Sequence, residues 1–468
     1  MRKLLTGLLL ALLALLSAAA ADESSQPWYP QITADLPAIF ICPDSGSNDF
    51  ATRWVREDKL QGRIDYVDAA ITVTDGEQVL LRDEKAQVKV RGNWTLDYPK
   101  KSIRIKFREK QSMLGLNESQ AYKSWVLLAE WKDLSMLNSA TALFLAQNIL
   151  GADGYYCTDY RFVHLYLGDE YWGLYLLAEQ QEVNPGRVEI AENKSGDTNR
   201  YTGYLLEYDA YFHEEASLPV SEPTFEVYHY GVSGEQYGYT VKSRIDTSSQ
   251  LAFLRGCVRL AYRACHSAVM ENRHYAFNEK HTELFAIESA SVRETVEQII
   301  DLSSLVDTYI LNEIACNPDL GWSSFYISLD LSADGNRKLT FHAPWDFDSA
   351  FGIRRDYDDN QADYVAYSGN PWLQLFAREA WFQELVRTRW AELKAQRLPE
   401  QTLTLISTLT ETYAADFARN YERWPTRITN GNHELIEELN SSRSQREAAD
   451  YLYRWLSARF SCLDNRWK

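Results

Sequence analysis

Basic residues are scarce in this sequence: 48 Lys and Arg face 66 Asp and Glu, a formal net charge of −18 over 468 residues. So acidic a chain repels a phosphate backbone, which argues against nonspecific nucleic-acid binding and leaves basic protein substrates open. Long apolar runs are missing beyond the N-terminus, so no later stretch reads as a bilayer span. No CxxC or Cys/His spacing points to zinc. A Walker A loop and the triple-glycine kinase loop are also absent. Without repeats or a low-complexity linker, the chain reads as one large or two moderate domains with ample core.

What is present begins with "MRKLLTGLLLALLALLSAAAADESS". Arg2 and Lys3, a Leu-rich run and then small residues are the grammar of a secretory signal peptide, residues 1–21, with cleavage near Ala20 or Ala21. The alternative is a short membrane anchor, for which the apolar run is brief. Losing Arg2 and Lys3 with the signal takes the formal charge from −18 to −20. The expected location is therefore periplasmic, cell-surface or secreted. Six cysteines lie in the mature chain (Cys42, Cys157, Cys257, Cys265, Cys316, Cys462), and in an exported protein an even number suggests disulfides. Cys257 and Cys265 share a helical pattern that holds them about 12 Å apart, so they are not expected to pair with each other.

Up to residue 247 the pattern is mainly of strands. "YVDAAITVTDG", "AQVKVRG" and "KSIRIKF" are β-branched and partly alternating, and "YRFVHLYLGDEYWGLYLLAEQ" reads as a hairpin turning at Gly168-Asp169. One helix interrupts, over "DLSMLNSATALFLAQNILG". From residue 248 apolar residues recur at helical spacing, broken by a strand pair in "WSSFYISLDLSADGNRKLTFHAPWD". The expected fold is α+β: a β-rich N-terminal lobe (22–247), a helical C-terminal lobe (248–468) and a cleft between them.

Three segments carry candidate chemistry. "APWDFDSAFG" sets Asp346 and Asp348 among aromatics, where an unpaired carboxylate is costly. A persisting strand would aim both at one point, as two hard oxygen donors suited to Mg²⁺ or Mn²⁺; the alternative is a pair that caps the following loop. In "NEIACNPDLGWSSFY", Pro318 stops a helix and leaves Asp319 in a loop, placed for a general base or merely for an Asx-type turn. "VKVRGNWTLDYPKKSIRIKF" brings Arg91, Lys100, Lys101, Arg104 and Lys106 around a turn that can cradle phosphates or simply be a solvated basic hairpin. In addition, Glu179 ends an apolar strand and calls for a lysine partner, and Lys242 is a further strand lysine able to face the cleft.

These segments, together with "WVLLAEWKDLSMLNSATALFLA", "FVHLYLGDEYWGLYLLAEQQEV" and "GYLLEYD", occur in an order that resembles the CotH family of spore-coat kinase-like proteins over about residues 60 to 390. The resemblance implies a bilobal, atypical protein-kinase-like fold and Mg- or Mn-dependent transfer of the ATP γ-phosphate to Ser or Thr of a partner protein. It implies that Asp319 is the catalytic-loop aspartate, that Asp346 binds metal with Asp348 beside it, and that Arg91, Gly92 and Asn93 form a loop near the nucleotide. Lys101 or Lys106 would contact phosphate, with Glu179 as the lysine's ion-pair partner. Ser324 stands where many members carry an Asn able to hold a second metal. Two other functions compete: an inactive, kinase-shaped surface binding or adhesion protein, and a glycoside hydrolase built on paired acids, which gives the basic turn no role.

Overall fold

The structure, a computed structural model, describes residues 27–53, 66–92, 94–213, 222–229, 238–288, 291–355, 361–425 and 434–468. The signal-like segment and Asn93 lie outside these residues. Seven strands close into a barrel: β1 (Ala38–Pro43), β2 (Val67–Asp75), β3 (Gln78–Arg91), β4 (Ser102–Gln111), β5 (Tyr122–Leu128), β6 (Tyr160–Leu167) and β7 (Glu170–Glu179), in the order β1-β2-β3-β4-β5-β7-β6. The alternation of β3 and β4 sends Val88, Ile103 and Ile105 inward, where they pack with Ile39, Ile71, Trp125 and Leu177. The parallel pairing of β1 with β6 closes the barrel and leaves no edge.

A second sheet follows: β8 (Gly203–Asp209), β9 (Thr224–Glu226), β10 (Gly238–Val241), β13 (Phe325–Asp330) and β14 (Leu339–Phe341), ordered β14-β13-β8-β10-β9. It draws strands from both sides of residue 248. Between them runs a small ribbon, β11 (Tyr275–Phe277) with β12 (Leu284–Ala286). One face of the larger sheet is core, with Leu206, Tyr239, Ile327 and Phe341. Its other face aligns Glu207 with Thr240 and Tyr326 across three strands.

Helices fill the rest, as the spacing from residue 248 predicts. Ser248–Glu271 starts at a capping box made by Thr247 and Gln250. Leu302–Ala315 is buried from Ser304 onward and ends where Cys316 turns left-handed. The helix Asn138–Ile149 joins the outer faces of β5, β6 and β7 to the same core. The molecule is thus α+β with its sheets early and its helices late. No helix among the described residues is long and apolar enough to cross a membrane.

The structure holds none of the expected disulfides, and all six cysteines are thiols. Four are buried at separate places in the core, and three of these give their thiols to backbone carbonyls: Cys157 to Ala146, Cys257 to His281 and Cys316 to Glu313. Buried this way, cysteine serves as a small apolar side chain.

Candidate active site

Pro318 ends the long helix as expected, and a single 3-10 turn, Pro318–Gly321, holds Asp319. The side chain that makes the local turn is Asn317, whose Oδ1 accepts the Asp319 N–H at 3.2 Å. The Asp319 carboxylate accepts no hydrogen bond among the described residues, so it is not spent on capping. Burial and the neighbouring Asp348 push its carboxyl up, while Lys132 and Arg354 pull it down.

Asp346 and Asp348 reach the same cleft by a route the strand pattern does not give. β14 stops at Phe341, and Asp346 takes φ +65°, a left-handed conformation that is unfavourable for a residue with a side chain. Its carbonyl receives the Asn317 amide at 3.0 Å, which fastens this loop to the Asp319 turn. The Asp346 carboxyl is raised to about 7, first by the crowding cleft walls and then by Asp348 and Asp319; Lys132 and Arg91 oppose them. Its surface is nevertheless exposed, so water offsets part of that rise.

Lys132 is the central residue of the site, and the sequence reading passed over it. Its ammonium lies 3.3 Å from Asp348 Oδ1 and donates to Ser349 Oγ at 2.9 Å. Burial lowers its pKa, but Asp348, Asp319 and Asp346 outweigh burial and hold the ammonium charged. The neighbouring Asp133 sets its position by accepting from the N–H groups of Ser135, Leu137 and Asn138 at the start of the Asn138–Ile149 helix. Asn138 in turn donates to the Ala350 carbonyl, tying that helix to the aspartate loop. The one sequence signal for Lys132 is a lysine between two acids, Glu130 and Asp133, directly after a buried strand.

The basic turn divides. Arg91 comes to the site: its guanidinium sits 5.3 Å from the Trp345 ring, and it interacts with Asp346. Gly92 beside it has φ +121°, and a Cβ there would lie 1.9 Å from Thr95 Oγ1, so any side chain at this position is strained and must displace Thr95. Lys101 turns to the Tyr98 carbonyl (2.8 Å), and Lys106 is exposed, 5.9 Å from the Tyr66 ring. Lys100 is buried against the carbonyls of Ala129 and Leu174. None of these lysines is brought to the aspartates.

Glu179 does not find a lysine. It pairs with Arg187 at 3.0 Å and also accepts from Asn117 Nδ2 and the Asp159 N–H. This pair borders a cavity of about 780 Å³ that Asp319, Asp346, Asp348 and Lys132 do not line. The lysine–glutamate pair near the aspartates is instead Lys242 with Glu207, at 2.9 Å. Ser324, at φ +61°, donates its hydroxyl to Asp346 Oδ2 at 3.3 Å.

Among the described residues no three or more His, Cys, Asp or Glu side chains form a ready metal site. The donor set does suit Mg²⁺, which is commonly held by one or two carboxylates, with substrate phosphates and water supplying the rest. Asp346, open to solvent and beside Asp348, fits that pattern. A comparison with curated proteins gave no match. The family model described as CotH kinase protein matches residues 88–257 and 263–463, which is most of the chain. On that match, the protein is a kinase-like member of the CotH family.

Proposed function

We propose that this protein is an exported protein kinase that transfers the ATP γ-phosphoryl group to Ser or Thr of a partner protein, with Mg²⁺ or Mn²⁺. The observation that carries the reading is the gathering of Asp319, Asp346 and Asp348 around Lys132. Export rests on the signal-like residues 1–21. The two-lobed kinase arrangement is part of the same reading, supported by a barrel and a helical region that both contribute to the cleft.

Asp319, which accepts no hydrogen bond among the described residues, takes the proton of the attacking hydroxyl as its oxygen bonds to phosphorus and the bond to ADP breaks. Asp346 and Asp348 would hold a divalent ion, which when bound would neutralise charge on the phosphoryl oxygens. Lys132 lets three carboxylates share one cleft. Arg91, fixed on Trp345, faces the phosphates at the rim.

The test is incubation of residues 22–468 with labelled ATP and Mg²⁺ or Mn²⁺, beside Asp319→Ala and Asp346→Ala. The expected result is label on the protein or on an added basic substrate, lost in both variants. Metal-dependent ATP binding without label would make it a pseudokinase. Neither label nor nucleotide binding would leave the binding-module reading.

A further inference from the structure

Two residues of the site with side chains, Ser324 and Asp346, sit in the left-handed region, and neither is an Asn or a Gly. Such conformations are unfavourable and persist where surrounding contacts over-determine them. For Asp346 one such contact is Asn317. For Ser324 the contacts come from β8, in the second sheet. Glu207 Oε1 accepts the Ser324 N–H at 2.8 Å, and three residues along the strand direction the Ala210 N–H donates to the Trp322 carbonyl at 2.6 Å. The end of β8 therefore clamps the 322–324 loop at two points.

Glu207 is itself held. Its other oxygen meets Lys242 Nζ at 2.9 Å, and Lys242 also meets Glu222, whose side chain is half exposed. Beyond the clamp, the Ser324 hydroxyl donates to the Asp346 carboxylate. A continuous chain thus runs Lys242, Glu207, Ser324, Asp346. Nothing in the phosphoryl-transfer roles above uses its first two members.

We propose that Glu207, oriented by Lys242, is the positioning residue for the Asp346 carboxylate and acts through Ser324. The inference rests on the kinase reading, in which Asp346 is a metal ligand. Ser324 then serves as a donor that aims the ligand. In metal sites, groups that orient a ligand carry about 10–100-fold in affinity. A residue one step further out belongs at the low end of that range.

The test measures Mn²⁺ bound in the presence of a non-hydrolysable ATP analogue, by the loss of the free-ion paramagnetic resonance signal, on residues 22–468. Ser324→Ala and Glu207→Ala are each expected to weaken Mn²⁺ binding about tenfold. The double variant should be no worse than the weaker single, because both cut one chain. Glu207→Gln, which keeps an oxygen for the Ser324 N–H, should recover most of the affinity, and Glu222→Ala should leave it unchanged. Ser324→Ala removes one hydroxyl at the cleft edge and does not threaten the fold. If that variant binds Mn²⁺ as wild type does, the proposal is overturned whatever Glu207→Ala does. Multiplying losses in the double variant overturn it too. If wild-type protein binds no Mn²⁺, the metal reading itself fails, and the wild-type arm alone reveals that.

Discussion

Glu179 and Arg187 bury a charge pair in which each guanidinium nitrogen has its own acceptor, namely Glu179, Glu182 and the Ser124 carbonyl. Tyr122 and Trp125 cover the guanidinium. Asp319, Asp346 and Asp348, by contrast, crowd around Lys132, and among the described residues Asp319 accepts no hydrogen bond. The first cluster is satisfied and needs nothing more. The second crowds like charges together, with Lys132, Arg91 and Arg354 opposing them, in a cleft open to solvent at Asp346, which is what a cation and a phosphate donor would complete. Buried charge alone therefore does not mark a functional site; incomplete pairing does.

Four substitutions can break or sharpen that contrast. Asp319→Ala should lower the phosphotransfer rate about 10³-fold, the scale of a lost general base, with the circular-dichroism melting curve unchanged. A rate within threefold of wild type would remove Asp319 from the chemistry. Arg187→Ala should do the reverse: it strands a buried Glu179 and costs about 3–5 kcal/mol of stability by denaturant titration, with ATP affinity kept in the folded fraction. A variant as stable as wild type would show that cluster to be dispensable.

Lys132→Met should cost less, about 2 kcal/mol, because water reaches Asp346 and shares the cost of the unpaired acids. Mn²⁺ should raise its melting temperature more than it raises that of wild type, since the ion replaces the missing counter-charge; an equal rise would contradict the shared-cation view. The smallest effect is expected for Gly92→Ala. Strain at φ +121° should cost about 1 kcal/mol and disturb Arg91 more than the global fold. Weaker ATP binding with nearly unchanged stability is the expected result, and unchanged ATP binding would detach Arg91 from the nucleotide.

The β2, β3 and β4 segments, the β6–β7 hairpin and the helical spacing from residue 248 were legible because their patterns are local. Barrel closure was not. It depends on β1, a six-residue strand, meeting β6 in parallel more than a hundred residues away. Asp319 could be read from Pro318 beside it. The strand expected to aim Asp346 and Asp348 ends at Phe341, and a left-handed loop carries both residues to the cleft instead. The partner of Glu179 was missed because the turn after β7 returns Arg187 within eight residues. Lys132 was missed because its partners Asp348 and Ser349 lie more than two hundred residues away, and the neighbouring Asp133 cap helps fix its direction. Disulfides were expected from compartment, whereas local packing decided the cysteines.

The second sheet interleaves distant parts of the chain, and this bears on assembly as well as on shape. All seven barrel strands are complete by Glu179, but β8 finds its β13 neighbour only once residues 325–330 exist. Pairings of such long sequence separation form late and slowly. A chain that ends before residue 325 would carry Lys132, Arg91 and Asp319 without Asp346 and Asp348. The two aspartates of the 346–348 loop therefore join the cleft only when the second sheet is complete.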